Sequence, residues 1–306
     1  MNELQLQLDN YLSFCRFQRR LDNKTLKAYR IDLTQFSQNI SATYVSDVNV
    51  PMLEQYIAFL HQQYKPKTVK RKIASIKAFF HYLEYKDIIG ITPFNKLQTR
   101  FREPVILPKI IPLGSIEALL CTIYAQEQVV NTPLQKRFLY RDEAIIELLF
   151  ATGIRISELC SLKPQDINLT DCVVLIFGKG AKERRIQLGN EAVISALEKY
   201  YSAFSIEIQS SEYFFINKLG SRLSEQSVRR MLNKYVSLAG INQHITPHMF
   251  RHSFATYLLE ADVDIRYIQE LLGHSSINIT EIYTHVATAK QKNILTTKHP
   301  RKDLNV

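Results

Sequence analysis

The sequence predicts a mainly α-helical chain in two domains, with one small β-hairpin in the second. Three observations predict this. At 306 residues the chain suits two cores better than one. No glycine precedes Gly90, and apolar residues recur at helical spacing through that stretch. Two β-rich runs flank a glycine turn near Gly178 and Gly180.

Taken in order, residues Asn2 to Gln18 carry Leu4, Leu8, Tyr11, Leu12 and Cys15 on one helical stripe. Asn23 is placed to cap a second helix holding Leu26, Tyr29, Leu33 and Phe36. Pro51 begins a third, with Met52, Tyr56, Ile57 and Leu60, and Lys67-Thr68 opens a fourth running through Ile73, Ile76, Phe79, Phe80 and Leu83. Four amphipathic helices of this length form a small bundle, giving a first domain over residues 1–105. Thr99 to Pro112 holds three prolines and no helical period, and reads as an extended linker. In the second domain, residues 106–306, Leu113 to Ala125 and Phe138 to Ala151 read as helices, with Gly153 stopping the latter. Cys172–Phe177 and Glu183–Leu188 form the hairpin. Helical patterning resumes at Asn190, runs through Ala289 and gives way to a polar, basic tail.

With 46% hydrophobic and 22% charged residues, the chain has the composition of an ordinary folded protein. The longest apolar stretch, Ala144 to Ile154, is interrupted by Glu147 and is too short for a membrane span. The beginning MNELQLQLDN lacks a basic region followed by an apolar run, so no secretion signal is expected. Cys15, Cys121, Cys160 and Cys172 form no CxxC pair, which argues against a disulfide framework and a zinc ribbon. The expected compartment is a reducing cytoplasm. Lys and Arg total 39 against 29 Asp and Glu, a net charge of +10 that favours a polyanionic partner, nucleic acid being the commonest. Up to Leu107 there are 16 basic and 9 acidic residues, and after it 23 and 20, so the smaller domain is the more basic. Its fourth helix opens on Lys65-Pro-Lys-Thr-Val-Lys-Arg-Lys, and Lys67, Lys70, Arg71, Lys72 and Lys77 are candidate phosphate contacts.

Three clusters in the second domain place strong cations and imidazoles at backbone breaks. In ATGIRISEL, Arg155 falls in a tight turn between Gly153 and a helix that Ser157 is placed to cap. In TPHMFRHSFAT, Thr246 and Pro247 fix a helix start, which sets His248 and Arg251 at the positive end of the helix dipole, a ready site for phosphate. In LLGHSSINITEIYTHV, Gly273 closes a helix, His274 lies in the turn and Tyr283 rides the next helix. His244, His248 and His252 are spaced four apart, but Pro247 separates the first from the helix of the other two, and HExxH is missing. Asp264 reads as the N-cap of a helix over Ile265 to Leu272, and no carboxylate triplet suits two-metal phosphoryl transfer.

Together these motifs resemble the tyrosine recombinase (phage integrase) family, above all its Xer-type members. ATGIRISEL supplies Arg155 and the supporting Glu158, and GKGAKERRIQL supplies Lys179. TPHMFRHSFAT supplies His248 and Arg251, and LLGHSSINITEIYTHV supplies His274 and Tyr283. The spacings agree with the family layout: 24 residues from Arg155 to Lys179, 26 from His248 to His274 and 9 from His274 to Tyr283. NKTLKAYRIDLTQF and KTVKRKIASIKAFFHYL resemble the family's core-DNA-binding module, so the likeness covers nearly the whole chain. Phe250 departs from the leucine common in the family and touches no catalytic position.

The resemblance implies a SAM-like helical domain and a catalytic domain that clamp duplex DNA bearing paired recombination sites. It further implies a homotetramer, or a heterotetramer with a second recombinase, and a tail from Ala287 to Val306 packing on a neighbouring protomer. Tyr283 is the implied nucleophile, forming a 3′-phosphotyrosyl link on the way to a Holliday junction, in resolution, integration or excision of DNA elements. Lys179 is the implied acid for the departing 5′ oxygen, His248 the acid/base partner of the phenol, and His274 a donor to the scissile phosphate. Two arginines suit the non-bridging oxygens because each offers a planar pair of donors. One phosphoester replaces another, so no metal, ATP or other cofactor is required. A bacterial or archaeal nucleoid is the implied location, with no membrane partner. Two rivals remain at this level: an architectural or regulatory DNA-binding protein, and a type IB topoisomerase that relaxes supercoils without exchange.

Overall fold

A computed structural model describes residues 2–99, 101, 109–178 and 183–273 of the chain. The chain folds into two compact units, Met1–Val105 and Ile106–Val306.

The first unit is a bundle of α1 (Glu3–Phe17), α2 (Asn23–Asn39), α3 (Val50–Gln63) and α4 (Pro66–Tyr85). Each start has a local cause. The side chains of Asn2, Asp22 and Asn49 accept the backbone N–H of Gln5, Thr25 and Met52, and Pro66 occupies the first turn of α4. The second helix is thus capped by Asp22, one residue before the Asn23 that the sequence suggests. Leu8, Tyr11, Phe36, Leu60, Phe79 and Phe80 are among the side chains that fill the core. Phe36 and Phe80 meet edge-on at 6.2 Å, as do Phe79 and Phe80 at 5.4 Å, geometries that suit the ring quadrupoles. A 3-10 turn at Pro93–Lys96, which no periodicity marks, adds Phe94 to this core.

The second unit is built around α6. Its helices α5 (Leu113–Ala125), α6 (Pro133–Thr152) and α7 (Ile156–Leu159) precede a sheet of β1 (Ile167–Asn168), β2 (Val173–Phe177) and β3 (Glu183–Gln187). Then follow α8 (Glu191–Ala203), α9 (Ser205–Gln209), α10 (Glu225–Leu238), α11 (Pro247–Glu260) and α12 (Ile265–Leu272). The sheet is antiparallel in the order β1-β2-β3, with Val174 opposite Ile186 and Ile176 opposite Arg184. Only β2 and β3 are legible in the sequence; β1 is two residues long and carries no alternation to read.

Helix α6 begins at Pro133, five residues before the sequence pattern suggests, because Thr132 and Gln135 form a reciprocal capping box. It buries Ile145, Ile146, Leu148 and Leu149, against which α8 sets Val193, Leu197 and Tyr200. Helix α6 also buries three carboxyl groups. Asp142 is held by Arg141 and by the Tyr235 hydroxyl, and Glu147 accepts the Tyr124 hydroxyl. Glu143 is different: both its carboxylate oxygens lie buried with no hydrogen-bond partner among the described residues. Burial, reinforced by the nearby Glu127, pushes its carboxyl up to about 7.

The stretch that reads as linker ends earlier than Pro112. Ile111 is buried in the second unit's core, and its N–H donates to Ser253 Oγ at 2.8 Å. Its carbonyl accepts the Tyr257 hydroxyl, while Gln243 donates to the carbonyl of Ile110. Extended backbone pinned by side chains has no period to announce it. α11 and α12 form a smaller cluster of their own through Ala255, Leu259, Ile268 and Leu272.

Candidate active site

Two left-handed glycines shape the second unit's cationic corner. Gly153 ends α6 at φ +57°, and a Cβ there would stand 2.8 Å from the Phe254 ring. Gly273 ends α12 at φ +62°, with the Arg184 guanidinium so close that a Cβ would lie 3.1 Å from its Nη1. Both positions need glycine for their left-handed backbone, and at Gly153 a Cβ would also collide with the Phe254 ring.

After Gly153 and the buried Ile154, Arg155 occupies the N-cap of α7. Glu158, three residues on, accepts the Arg155 backbone N–H at 3.0 Å and Arg155 Nη1 at 2.6 Å. Arg155 and Glu158, not the Ser157 suggested by the sequence, thus organise the start of this helix. From β3, Arg184 donates Nη2 to Glu158 Oε2 at 2.6 Å and Nη1 to Oε1 at 3.3 Å. One buried carboxylate so bridges two guanidinium groups. Burial alone would raise the Glu158 carboxyl, but the hydrogen bonds and charge of Arg184, with those of Arg155, hold it below the usual range.

Helix α11 opens as the sequence predicts, with Thr246 accepting the Met249 N–H and Pro247 in the first turn. Arg251, 4% exposed, donates Nη1 to the Gly153 carbonyl at 2.8 Å and Nη2 to the Leu272 carbonyl at 2.6 Å. These two carbonyls sit at the C-terminal, negative ends of α6 and α12. Burial, together with the charges of Arg155 and Arg184, pushes Arg251 down to about 9, which leaves it charged at neutral pH. His248 is exposed one turn earlier, its Nε2 lying 2.9 Å from Nε2 of His252.

The structure therefore brings Arg155, Glu158 and Arg251 together around the ends of α6 and α12. It adds Arg184, which the sequence reading missed. The strand alternation carried the signal: Arg184 and Ile186 share the buried parity of β3. Lys179, His274 and Tyr283 lie outside the described residues. Among the described residues no group of three His, Cys, Asp or Glu side chains is placed to hold a metal ion. None of their helices is long and apolar enough to cross a membrane.

In the first unit, Lys67, Lys70, Arg71 and Lys77 are exposed along one stripe of α4. Lys72 is not among them. It is 2% exposed, with Nζ 3.1 Å from Asp32 Oδ1, bonded to Gln35 and 4.8 Å from the Tyr64 ring centroid. An ammonium so enclosed is not a surface contact for phosphate. Asp32 also accepts Arg71 Nη1 and the Ser75 hydroxyl.

The profile of the phage integrase family matches residues 125–290, and that of the phage integrase N-terminal SAM-like domain matches residues 8–86. A tyrosine recombinase from Agathobacter rectalis is 62% identical over 305 residues, covering 100% of both chains. This chain belongs to the phage integrase family of tyrosine recombinases. Tyrosine recombinase XerD of Listeria monocytogenes is 38% identical, covering 98% of this chain and 100% of its own. Tyrosine recombinase XerC of Oceanobacillus iheyensis is 32% identical, covering 100% and 99%. The fold is similar to that of XerH bound to palindromic difH substrate in a post-cleavage complex, with a TM-score of 0.75 and 22% identity over 95% of this chain and 83% of that one. It is similar also to a lambda integrase (75–356) dimer bound to a COC′ core site, with a TM-score of 0.70 and 19% identity over 90% and 96%. As a tyrosine recombinase the chain is a DNA strand-exchange enzyme, cutting and rejoining DNA by transesterification. Its two matched regions fall one in each compact unit.

Proposed function

We propose that Tyr283 attacks a scissile phosphate in duplex DNA, forming a 3′-phosphotyrosyl bond and releasing a 5′ hydroxyl. The incoming 5′ hydroxyl of a partner strand then displaces the tyrosine and completes the exchange. The observation that carries the assignment is the convergence of Arg155 and Arg251 on one corner, where Arg251 binds the carbonyl of Gly153, two residues before Arg155. A free phenol has a pKa of about 10 and is a poor nucleophile at neutral pH. Two fixed guanidinium groups favour its ionised form and stabilise the charge that gathers on the non-bridging oxygens. Lys179 protonates the departing 5′ oxygen, His248 exchanges the phenolic proton and His274 donates to the phosphate.

The first unit holds the duplex with Lys67, Lys70, Arg71 and Lys77, all exposed on α4. The exposed Ala74 between them leaves room for a sugar–phosphate backbone. The working assembly is four protomers on two duplexes in the cytoplasm, joined through the tail from Ala287 to Val306. No metal or nucleotide cofactor is assigned to the reaction. The test is an SDS-resistant adduct on a suicide duplex that traps the cut strand. Wild-type chain forms it and Tyr283→Phe does not; an adduct that persists in Tyr283→Phe removes that tyrosine from the reaction. Relaxation of supercoiled plasmid without exchange between paired sites would place the chain with the topoisomerases instead.

A further inference from the structure

We infer that Arg184 is a positioning residue for strand cleavage, acting through Glu158 on Arg155 and, at Gly273, on the C-terminal end of α12. The inference rests on the catalytic reading above and deepens it. Arg184 points into the domain from β3, where it faces Ile176 of β2, and is only 8% exposed. A buried guanidinium far from any reaction is usually satisfied all round. This one directs two N–H groups at Glu158 and leaves its Nε–H without a partner among the described residues.

The geometry gives it two jobs. One edge of the guanidinium forks across both oxygens of Glu158, which fixes the plane of that carboxylate. Glu158 in turn holds Arg155 by its backbone N–H and by Nη1. Without Arg184, Glu158 keeps only its two bonds to Arg155 and has nothing on the β3 side to brace it, so the pair can shift together and Arg155 loses its aim. The same side chain also lies against Gly273, with Nη1 3.1 Å and Cδ 3.2 Å from where a Cβ would be. The carbonyl of the preceding Leu272 is held by Arg251. That corner is therefore gripped by one arginine through its carbonyl and backed by another at its α-carbon. A lysine in place of Arg184 supplies charge but no fork, so charge and geometry are separable by substitution.

The experiment measures single-turnover cleavage of a suicide duplex by Arg184→Lys and Arg184→Gln, alongside duplex affinity and melting temperature. Arg184→Lys is expected to bind duplex within about twofold of wild type yet cleave about 10- to 100-fold more slowly, the range typical of groups that orient an active-site residue. Arg184→Gln is expected to be slower still. Combining Arg184→Lys with Glu158→Gln should add little to the slower single variant, because both act on Arg155. Folded Arg184 variants that cleave at the wild-type rate overturn the inference, as does full additivity with Glu158→Gln. A loss of rate matched by an equal loss of duplex affinity also overturns it. Failure of the wild-type chain to form the adduct overturns the catalytic reading and this inference together, so the two failures are distinguishable.

Discussion

Asp32 in the first unit and Glu158 in the second are both buried carboxylates that gather two cations, and they are built differently. Asp32 bridges neighbouring residues of one helix, Arg71 and Lys72 of α4, and ties α2 to α4 with help from Ser75. Its cations differ in kind: Lys72 is enclosed, whereas the Arg71 side chain is 46% exposed. Glu158 joins a turn to a strand and takes two arginines, so both of its oxygens are held in a fixed plane. The first arrangement fastens helices and leaves one cation to face outward. The second sets angles. A network that needs only cohesion tolerates a flexible ammonium, whereas one that aims a guanidinium uses planar partners throughout.

The sharpest way to break the symmetry between them is to remove each carboxylate. Asp32→Ala strands the Lys72 ammonium in the core and is expected to destabilise the chain by about 3–5 kcal/mol, read by urea unfolding. The loss should show first in the unfolding of the N-terminal unit. Glu158→Gln keeps the shape and one acceptor but removes the counter-charge of buried Arg184, so some stability is lost too. Its distinguishing effect is on chemistry, with cleavage falling about 100-fold while duplex binding by the folded variant changes little. Equal damage to cleavage and binding would remove the distinction drawn between the two clusters.

Glu143 supplies a control, being a buried carboxyl with no hydrogen-bonded cation among the described residues. Its native pKa lies above its unfolded value, so the native state binds the extra proton between pH 4.5 and about 7. The stability this contributes is complete below the unfolded value and is lost as pH rises through about 7. Glu143→Gln should therefore flatten the pH dependence of stability across that window. Above it, the variant should be more stable than wild type by about 1–3 kcal/mol. A melting profile unchanged between pH 5 and 8 would show that Glu143 is solvated.

The smallest effect concerns the basic stripe of α4 that is proposed to hold the duplex. Lys67→Ala should reduce the slope of log affinity against log salt by about 1, and Lys72→Gln should leave that slope alone. A fall in slope with Lys72→Gln would return that lysine to the interface.

Most helices are legible because each carries its own amphipathic period and its own cap, as in Asn2 with Leu4, Leu8, Tyr11 and Cys15. Thr246, Pro247, Gly153, Asp264 and Gly273 all stand where local chemistry places them. Lys72 reads wrongly as surface because a charge run masks its phase. It lies on the stripe of Val69, Ile73, Ile76 and Phe79, and that spacing turns it inward. Arg184 is hidden for another reason. Its partner Glu158 is 26 residues away, and only the folding of the sheet beside α7 joins them. Anchoring of Ile111 by Ser253 spans 142 residues and is invisible to any local pattern.

The grip of Arg251 on two carbonyls settles its side chain before any partner is met. A long, supple side chain ordinarily surrenders rotamer freedom when it meets its ligand. Here that loss is incurred when the chain folds, because the ends of α6 and α12 already hold the guanidinium still. In the proposed reaction Arg251 would therefore meet the strand with most of that freedom already given up.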